Sequence, residues 1–263
     1  LSPDNLRKLR WIYPNLKSIF GHTIRPYSGL QTVVPDIKYC TFIRDPIARS
    51  ISQITWNLRW KAHQGGFFDD FQVLVKDWVL ATDNRNRQCR QLSAEGTFEG
   101  VKNMAENNPF LFLRVEDFDE SLFLFRHWTG ESRMDLSYAL RNTGVDRYER
   151  LQNSQPEYLE KVRNFNNFLK EDEDMQSILA EANQEDQALA DWVESDVWPK
   201  QTEAYPGNLP EEVLNLRQHL EQSPPNLNEP ILARLHRNVI LKPIRSVLLS
   251  GREPEEDLRS PWL

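Results

Sequence analysis

The chain has 263 residues, and its 32 Lys and Arg stand against 39 Asp and Glu, a net charge of −7. At this length a fold buries roughly 75 % of its unfolded surface, so no disulfide or metal staple is needed to hold a core. Net acidity argues against a general nucleic-acid binder, and no run reaches 18 apolar residues, so no transmembrane helix is expected.

Residues 3–12 read as a short helix, with Ser2 as N-cap and Pro3 at the first helical position. Lys17 to His22 is a short apolar run that reads as a buried strand ending at Gly21 and His22. Ile37 to Arg44 is the clearest strand, β-branched and aromatic, and it stops at Asp45-Pro46. Asp45 as N-cap and Pro46 as first residue then start a helix that runs to His63 and ends at Gly65-Gly66. Residues 67–81 carry apolar side chains at helical spacing, and 82–96 read as a polar loop or broken helix.

Residues 98–106 are predicted helical, 109–115 form a second buried strand, and 117–128 a helix directly after it. Strand–helix alternation with near-continuous apolar strands predicts an α/β fold with a parallel sheet flanked by helices. From residue 155 the strand signal ends, and helices are expected over 157–170, 172–182, 184–195 and 210–222. An interrupted amphipathic helix is expected over 229–249. Arg234, Arg237, Lys242, Arg245 and Arg252 make its surroundings basic, which fits a helix docked on the domain better than a membrane-surface helix. The expected division is an α/β domain over 1–200 and a helical C-terminal extension over 201–263.

Cys40 and Cys89 are the only cysteines, and no HExxH or EF-hand loop occurs, so neither a disulfide framework nor a metal site is expected. The sharpest signal is Phe42-Ile43-Arg44-Asp45-Pro46-Ile47-Ala48-Arg49-Ser50-Ile51-Ser52. A strand delivers Arg44 to its carboxyl end, where ligands bind in open α/β sheets. A helix N-terminus with unpaired N–H groups follows at once. Arg44 and Ser52, eight residues on, could converge on one phosphate; alternatively Arg44 pairs with Asp45 or a surface carboxylate and Ser52 faces solvent.

This stretch resembles the 3′-phosphate-binding motif of sulfotransferases that use 3′-phosphoadenosine 5′-phosphosulfate (PAPS). The match is to the heparan-sulfate 2-O/6-O branch and its bacterial relatives. Phe20-Gly21-His22, the segment Asn86-Arg87-Gln88-Cys89-Arg90-Gln91-Leu92, and the stretch from Phe112 to Ser121 resemble further motifs of that branch in the same order. Asn183, Asp186 and Leu189 echo a fourth. The resemblance covers roughly residues 15–195. It implies a three-layer, P-loop-like sulfotransferase fold, with PAPS or its product adenosine 3′,5′-bisphosphate as cofactor. The expected acceptor is a hydroxyl on a glycan, and Arg44 and Ser52 would hold the 3′-phosphate. The family's PKxGxT loop around the 5′-phosphosulfate is not found in the chain, nor is a Walker loop, which weighs against a kinase. The loop is expected upstream of Leu1; if it has been lost, a non-catalytic binding or scaffold protein is the alternative.

His22 at the end of a strand suits general-base work on an alcohol, and the resemblance supports that role; a hydrogen bond to loop backbone is the competing reading. His63 at a helix end and Glu116 beyond a strand tip are further base candidates, against dipole compensation and helix capping respectively. Arg90 could reach a phosphate or an anionic acceptor, or be a solvated loop charge. With no anchor and no Asn-x-Ser/Thr sequon, a bacterial cytoplasmic location is favoured over a Golgi lumen reached through a trimmed anchor.

Overall fold

The computed structural model describes residues 1–21, 24–63, 71–81, 84–138 and 156–222. Its centre is a parallel pair of strands, β1 (Tyr39–Ile43) and β2 (Phe110–Arg114), in register from Tyr39 opposite Phe110 to Ile43 opposite Arg114. The molecule is mixed α/β with mostly helices. Period-2 alternation sends Ile43 and Phe112 to one face, where they pack with Cys89, Leu92, Val101 and Leu189. Leu111 and Leu113 go to the other face, against Leu124.

Both faces are covered by helices, and α1 and α2 are capped at their starts by the residues before them. Helix α1 (Pro3–Ile12) opens with the Ser2 hydroxyl accepting the Asn5 N–H at 3.2 Å, and its Leu6 is buried with Leu30 and Tyr39. Helix α2 (Pro46–His63) opens with Asp45 Oδ1 accepting the Ala48 N–H at 2.6 Å, the expected N-cap. Ile54 of α2 joins a helical core with Val75, Trp78 and Val79 of α3 (Phe71–Leu80). The short helix α4 (Arg87–Leu92) and α5 (Phe98–Glu106) precede β2, and α6 (Phe118–Thr129) follows it, ending at Gly130.

Helices α7 (Pro156–Glu171) and α8 (Glu173–Ala182) bring Phe165, Leu169, Met175 and Leu179 into the same core as Ile54. Each of these four is essentially fully buried, and burial of a large side chain contributes about 1.5–3 kcal/mol. Helix α9 (Gln184–Trp192) does not stop near 195 as expected. It passes through a wider π turn at Val193–Val197 into α10 (Trp198–Glu203). The widening lies just before Pro199, whose ring cannot sit over the carbonyl four residues back. Helix α11 (Leu209–Gln222) packs Leu209 and Val213 on Phe123 of α6, and Glu212 pairs with Arg126 at 3.1 Å.

A two-stranded sheet is marginal alone. Side chains complete the outer edge of β2 here. Gln201 accepts the Phe112 N–H at 3.1 Å and donates to the Phe112 carbonyl at 2.6 Å. Ser121 does the same for Arg114, at 3.0 and 2.9 Å. Each polar side chain replaces the backbone of a strand that would otherwise lie alongside.

The expected strand over Lys17 to His22 is corrected: residues 17–21 are not a strand. A strand needs a backbone partner, and this segment is fastened by side chains instead. Ile19 packs against the Leu6–Leu30–Tyr39 cluster, while Phe20 is 71 % exposed and sets its ring edge-on to Phe125. The polar stretch 82–96 is, over its described residues, a loop broken by the short helix α4, whose Gln88, Cys89 and Leu92 are all buried. The expected helix over 229–249, the basic residues around it and the stop at Gly65-Gly66 lie outside the described residues. Among the described residues no helix is long and apolar enough to cross a membrane.

Tyr138 ties the end of the 131–138 segment to α6. Its hydroxyl donates to Asp119 Oδ1 at 2.5 Å, and Arg217 of α11 reaches the other carboxylate oxygen at 2.5 Å. Burial, and then the Asp119 carboxylate, push the Tyr138 phenol up to about 12 from its ordinary 10.0. The folded state therefore holds this proton more tightly than the unfolded chain does. The resulting stability is complete below pH 10 and is lost as pH rises towards 12. Denaturant midpoints should fall across that window, and Tyr138→Phe should flatten the fall; parallel curves for the two proteins would contradict the assignment.

Candidate functional site

The carboxyl ends of β1 and β2 meet the N-termini of α2 and α4. Arg44 leaves β1 there, half-buried. Its backbone is clamped by Gln88: the Arg44 N–H donates to Gln88 Oε1 at 3.0 Å, and Gln88 Nε2 donates to the Arg44 carbonyl at 3.0 Å. The two carboxylates nearest in sequence are both turned onto backbone. Asp45 caps Ala48, and Glu116 Oε1 accepts the Asp45 N–H at 3.0 Å. Arg44 therefore does not pair with Asp45. Among the described residues its guanidinium has no carboxylate partner, whereas Arg114, at the tip of β2, is held by Asp117 at 3.0 Å and Glu194 at 3.3 Å.

Behind Arg44 lies a second guanidinium that is nearly enclosed. Arg49 of α2 has 17 % of its side chain exposed and stands 3.6 Å from the fully buried Asp186 carboxylate of α9. Its Nη1 donates to Gln53 at 3.3 Å, but its Nε and Nη2 are buried without a hydrogen bond. Burial is the main cause that lowers its proton affinity to about 10; Asp186 opposes the shift, while the like charges of Arg87 and Arg44 add to it. The site thus brings the Arg44 and Arg49 guanidinium groups together near the start of α2, with Asp186 facing Arg49, an arrangement that favours an anion.

The scaffold beneath is a reciprocal cap. Asp186 accepts the Gln88 N–H at 3.0 Å and the Cys89 N–H at 2.8 Å, so a residue of α9 caps α4. Asn86, just before α4, accepts the Glu185 N–H at 3.1 Å and the Asp186 N–H at 3.5 Å, so it caps α9 in return. Asn86 sits at φ 44°, a left-handed conformation that Asn tolerates better than most residues. Asn183 donates to the buried Ser50 hydroxyl of α2 at 3.2 Å, which joins the third helix to the other two. Cys89 donates its thiol proton towards the Glu185 carbonyl at 3.3 Å. Burial and the nearby Asp186 charge push its pKa up, so it is an inert packing residue.

Arg44, Glu116 and the start of α2 come together as the sequence suggests. Glu116 does not cap α6, which has no side-chain cap bond; it braces the turn into α2. Ser52 is exposed, on the face of α2 away from the buried Ser50 and Ile54. Arg90 is half-buried, and its carbonyl accepts hydrogen bonds from Arg25 Nη1 at 2.9 Å and the Tyr27 hydroxyl at 3.0 Å. Its stem lies against Gly96 (φ +70°), where an added Cβ would stand 2.7 Å from Arg90 Cγ. His63 closes α2, and only its backbone position is described; His22 lies outside the described residues.

Sequence reasoning did not single out Arg49 or Arg87, or foresee that Gln88 and Asp186 carry the site. The available signal was the Arg five residues after Arg44 and the Asn183–Asp186–Leu189 spacing, whose three side chains are all buried. An open cleft along α8 and α9, lined by residues that include Glu181, Gln187 and Asp191, involves none of the candidate residues. Among the described residues no group of three His, Cys, Asp or Glu side chains converges as a metal-binding set. In comparisons with known proteins, no family model, no curated protein and no solved structure matches the chain.

Proposed function

We propose that the chain is a PAPS-dependent O-sulfotransferase of P-loop-like, three-layer fold, and that Arg44 receives the 3′-phosphate of the nucleotide. The observation that carries the reading is the Arg44 guanidinium, without a carboxylate partner among the described residues and set beside a helix N-terminus, with Asp45 and Glu116 both committed to backbone N–H groups. A guanidinium left this way suits a dianionic phosphate, which accepts two parallel hydrogen bonds from it. Ser52 supplies a hydroxyl from the exposed face of α2, and Arg90 of α4 is the further candidate contact to the nucleotide.

In the proposed reaction the acceptor hydroxyl oxygen, on a glycan, attacks sulfur in line with the bond to the bridging phosphate oxygen. That bond breaks, adenosine 3′,5′-bisphosphate leaves, and His22 takes the hydroxyl proton. Glu116 and His63 are the next candidates for the base.

A second reading is favoured by one observation. Several of the side chains that carry the family resemblance are engaged in holding the fold: Asn86 and Asp186 cap helices, Gln88 and Ser121 complete strand ends, and Leu92 is core. That pattern also suits a binding or scaffold protein that keeps the fold without transfer chemistry. Calorimetry with adenosine 3′,5′-bisphosphate, followed by a transfer assay with PAPS and a panel of glycans, separates the readings. Binding together with transfer supports the enzyme, binding without transfer supports the non-catalytic protein, and no binding removes both nucleotide readings.

A further inference from the structure

We infer that Gln88 is the positioning residue for Arg44, and that anion binding at Arg44 depends on the Gln88 carboxamide although Gln88 itself touches no ligand. The inference rests on the proposed anion site at Arg44 and names the residue that aims it.

Gln88 is 7 % exposed. Its carboxamide uses its oxygen on the Arg44 N–H and its nitrogen on the Arg44 carbonyl, both at 3.0 Å. Fixing both backbone groups of one residue stops rotation of the peptide units on either side of it. The direction of the Arg44 Cα–Cβ bond is then set before any ligand arrives. Preorganisation of this kind removes an ordering cost from binding.

Gln88 is itself held. Its own N–H donates to Asp186 Oδ2 at 3.0 Å, and Asp186 is fully buried beside Arg49. The route from α9 through Asp186 and Gln88 to Arg44 is therefore continuous and enclosed. The two comparable clamps, at Phe112 and Arg114, lie on β2, where the Arg114 guanidinium is already committed to Asp117 and Glu194. Both strand-tip arginines are clamped through their backbone, and of the two only Arg44 has no carboxylate partner among the described residues.

The chemistry of the clamp makes it testable apart from packing. It needs one donor and one acceptor side by side. A protonated carboxyl supplies both, an ionised one supplies two acceptors, and a thioether supplies neither good donor nor acceptor. Gln88→Glu should therefore bind adenosine 3′,5′-bisphosphate poorly at neutral pH and recover towards the native value as pH falls through the introduced carboxyl's pKa. The native protein measured in parallel corrects for titration of the nucleotide. Gln88→Met should weaken binding roughly tenfold at every pH, the scale of one lost net hydrogen bond, and should lose that effect when Arg44→Ala is already present.

Native-like affinity in Gln88→Met, or a Gln88→Glu curve parallel to the native one, would overturn the inference and leave the nucleotide reading standing. Inorganic phosphate is the second probe. Phosphate binding that needs Arg44 and Gln88, without nucleotide binding, would support the inference and remove the nucleotide reading. Binding of neither probe by the native protein would overturn both.

Discussion

Replacing Asp186 with alanine is expected to destabilise the protein by about 3–5 kcal/mol, the range for removing one partner of a buried ion pair. The carboxylate is fully buried and serves three groups at once: the Gln88 and Cys89 N–H donors and the Arg49 guanidinium. Without it, two helix-terminal N–H groups lose their acceptor. Arg49, whose Nε and Nη2 already lack hydrogen bonds, becomes an uncompensated buried charge. Asp186→Asn keeps the shape and one acceptor but not the charge, so it should still be costly. Adding Arg49→Met to it should recover much of the loss, since a buried pair replaced by packing atoms is often close to neutral. Urea unfolding at neutral pH measures all three variants. A loss below about 1 kcal/mol for the alanine variant would show that water or a rearranged neighbour takes over the role.

The second expected result is a split between two variants. Arg44→Ala should weaken adenosine 3′,5′-bisphosphate binding by about 10²-fold or more, because a phosphate loses its bidentate, charge-assisted partner. Its effect on stability should be small, since the Gln88 clamp uses the Arg44 backbone and not its side chain. Arg44→Lys should restore only part of the affinity, as an ammonium keeps the charge without the fork. His22→Ala should leave nucleotide binding intact and lower turnover by about 10²–10⁴-fold, the usual range for loss of a general base. Calorimetry and a transfer assay on the same samples read the split. If His22→Ala turns over at the native rate, the base is elsewhere, and Glu116→Gln and His63→Ala are the next variants to assay. If Arg44→Ala binds as tightly as the native protein, the phosphate is not held at the β1 tip.

Elements with local causes were legible in the order of residues alone. Ser2 before Pro3 and Asp45 before Pro46 announced helix starts, and the structure has both caps. The apolar runs around Tyr39–Ile43 and Phe110–Arg114 announced buried strands, and helical spacing announced α5, α6, α7, α8 and α11 with ends within a few residues. The sequence also placed Arg44 at a strand tip ahead of a helix, because a strand–Asp–Pro junction leaves little choice of geometry. The run from Lys17 misled for the same reason that the others succeeded. Apolar character predicts burial of a segment, but a strand also needs a neighbour with free backbone groups, which no local pattern contains.

The pairing of polar groups distant in sequence came from the packing of the elements against one another. By sequence Glu116 reads equally as a base or as a cap of α6, and in the fold it does not cap α6 but holds the Asp45 N–H, 71 residues away along the chain. Asp186 and Asn86 gave no sign of capping each other's helices across about a hundred residues. A buried donor must find an acceptor, but the sequence states only that the demand exists, and the packing of α9 against α4 decides which residue meets it. That the Arg44 guanidinium has no carboxylate partner among the described residues has the same origin. It follows from where Asp45 and Glu116 turn, which the fold sets and the order of residues does not.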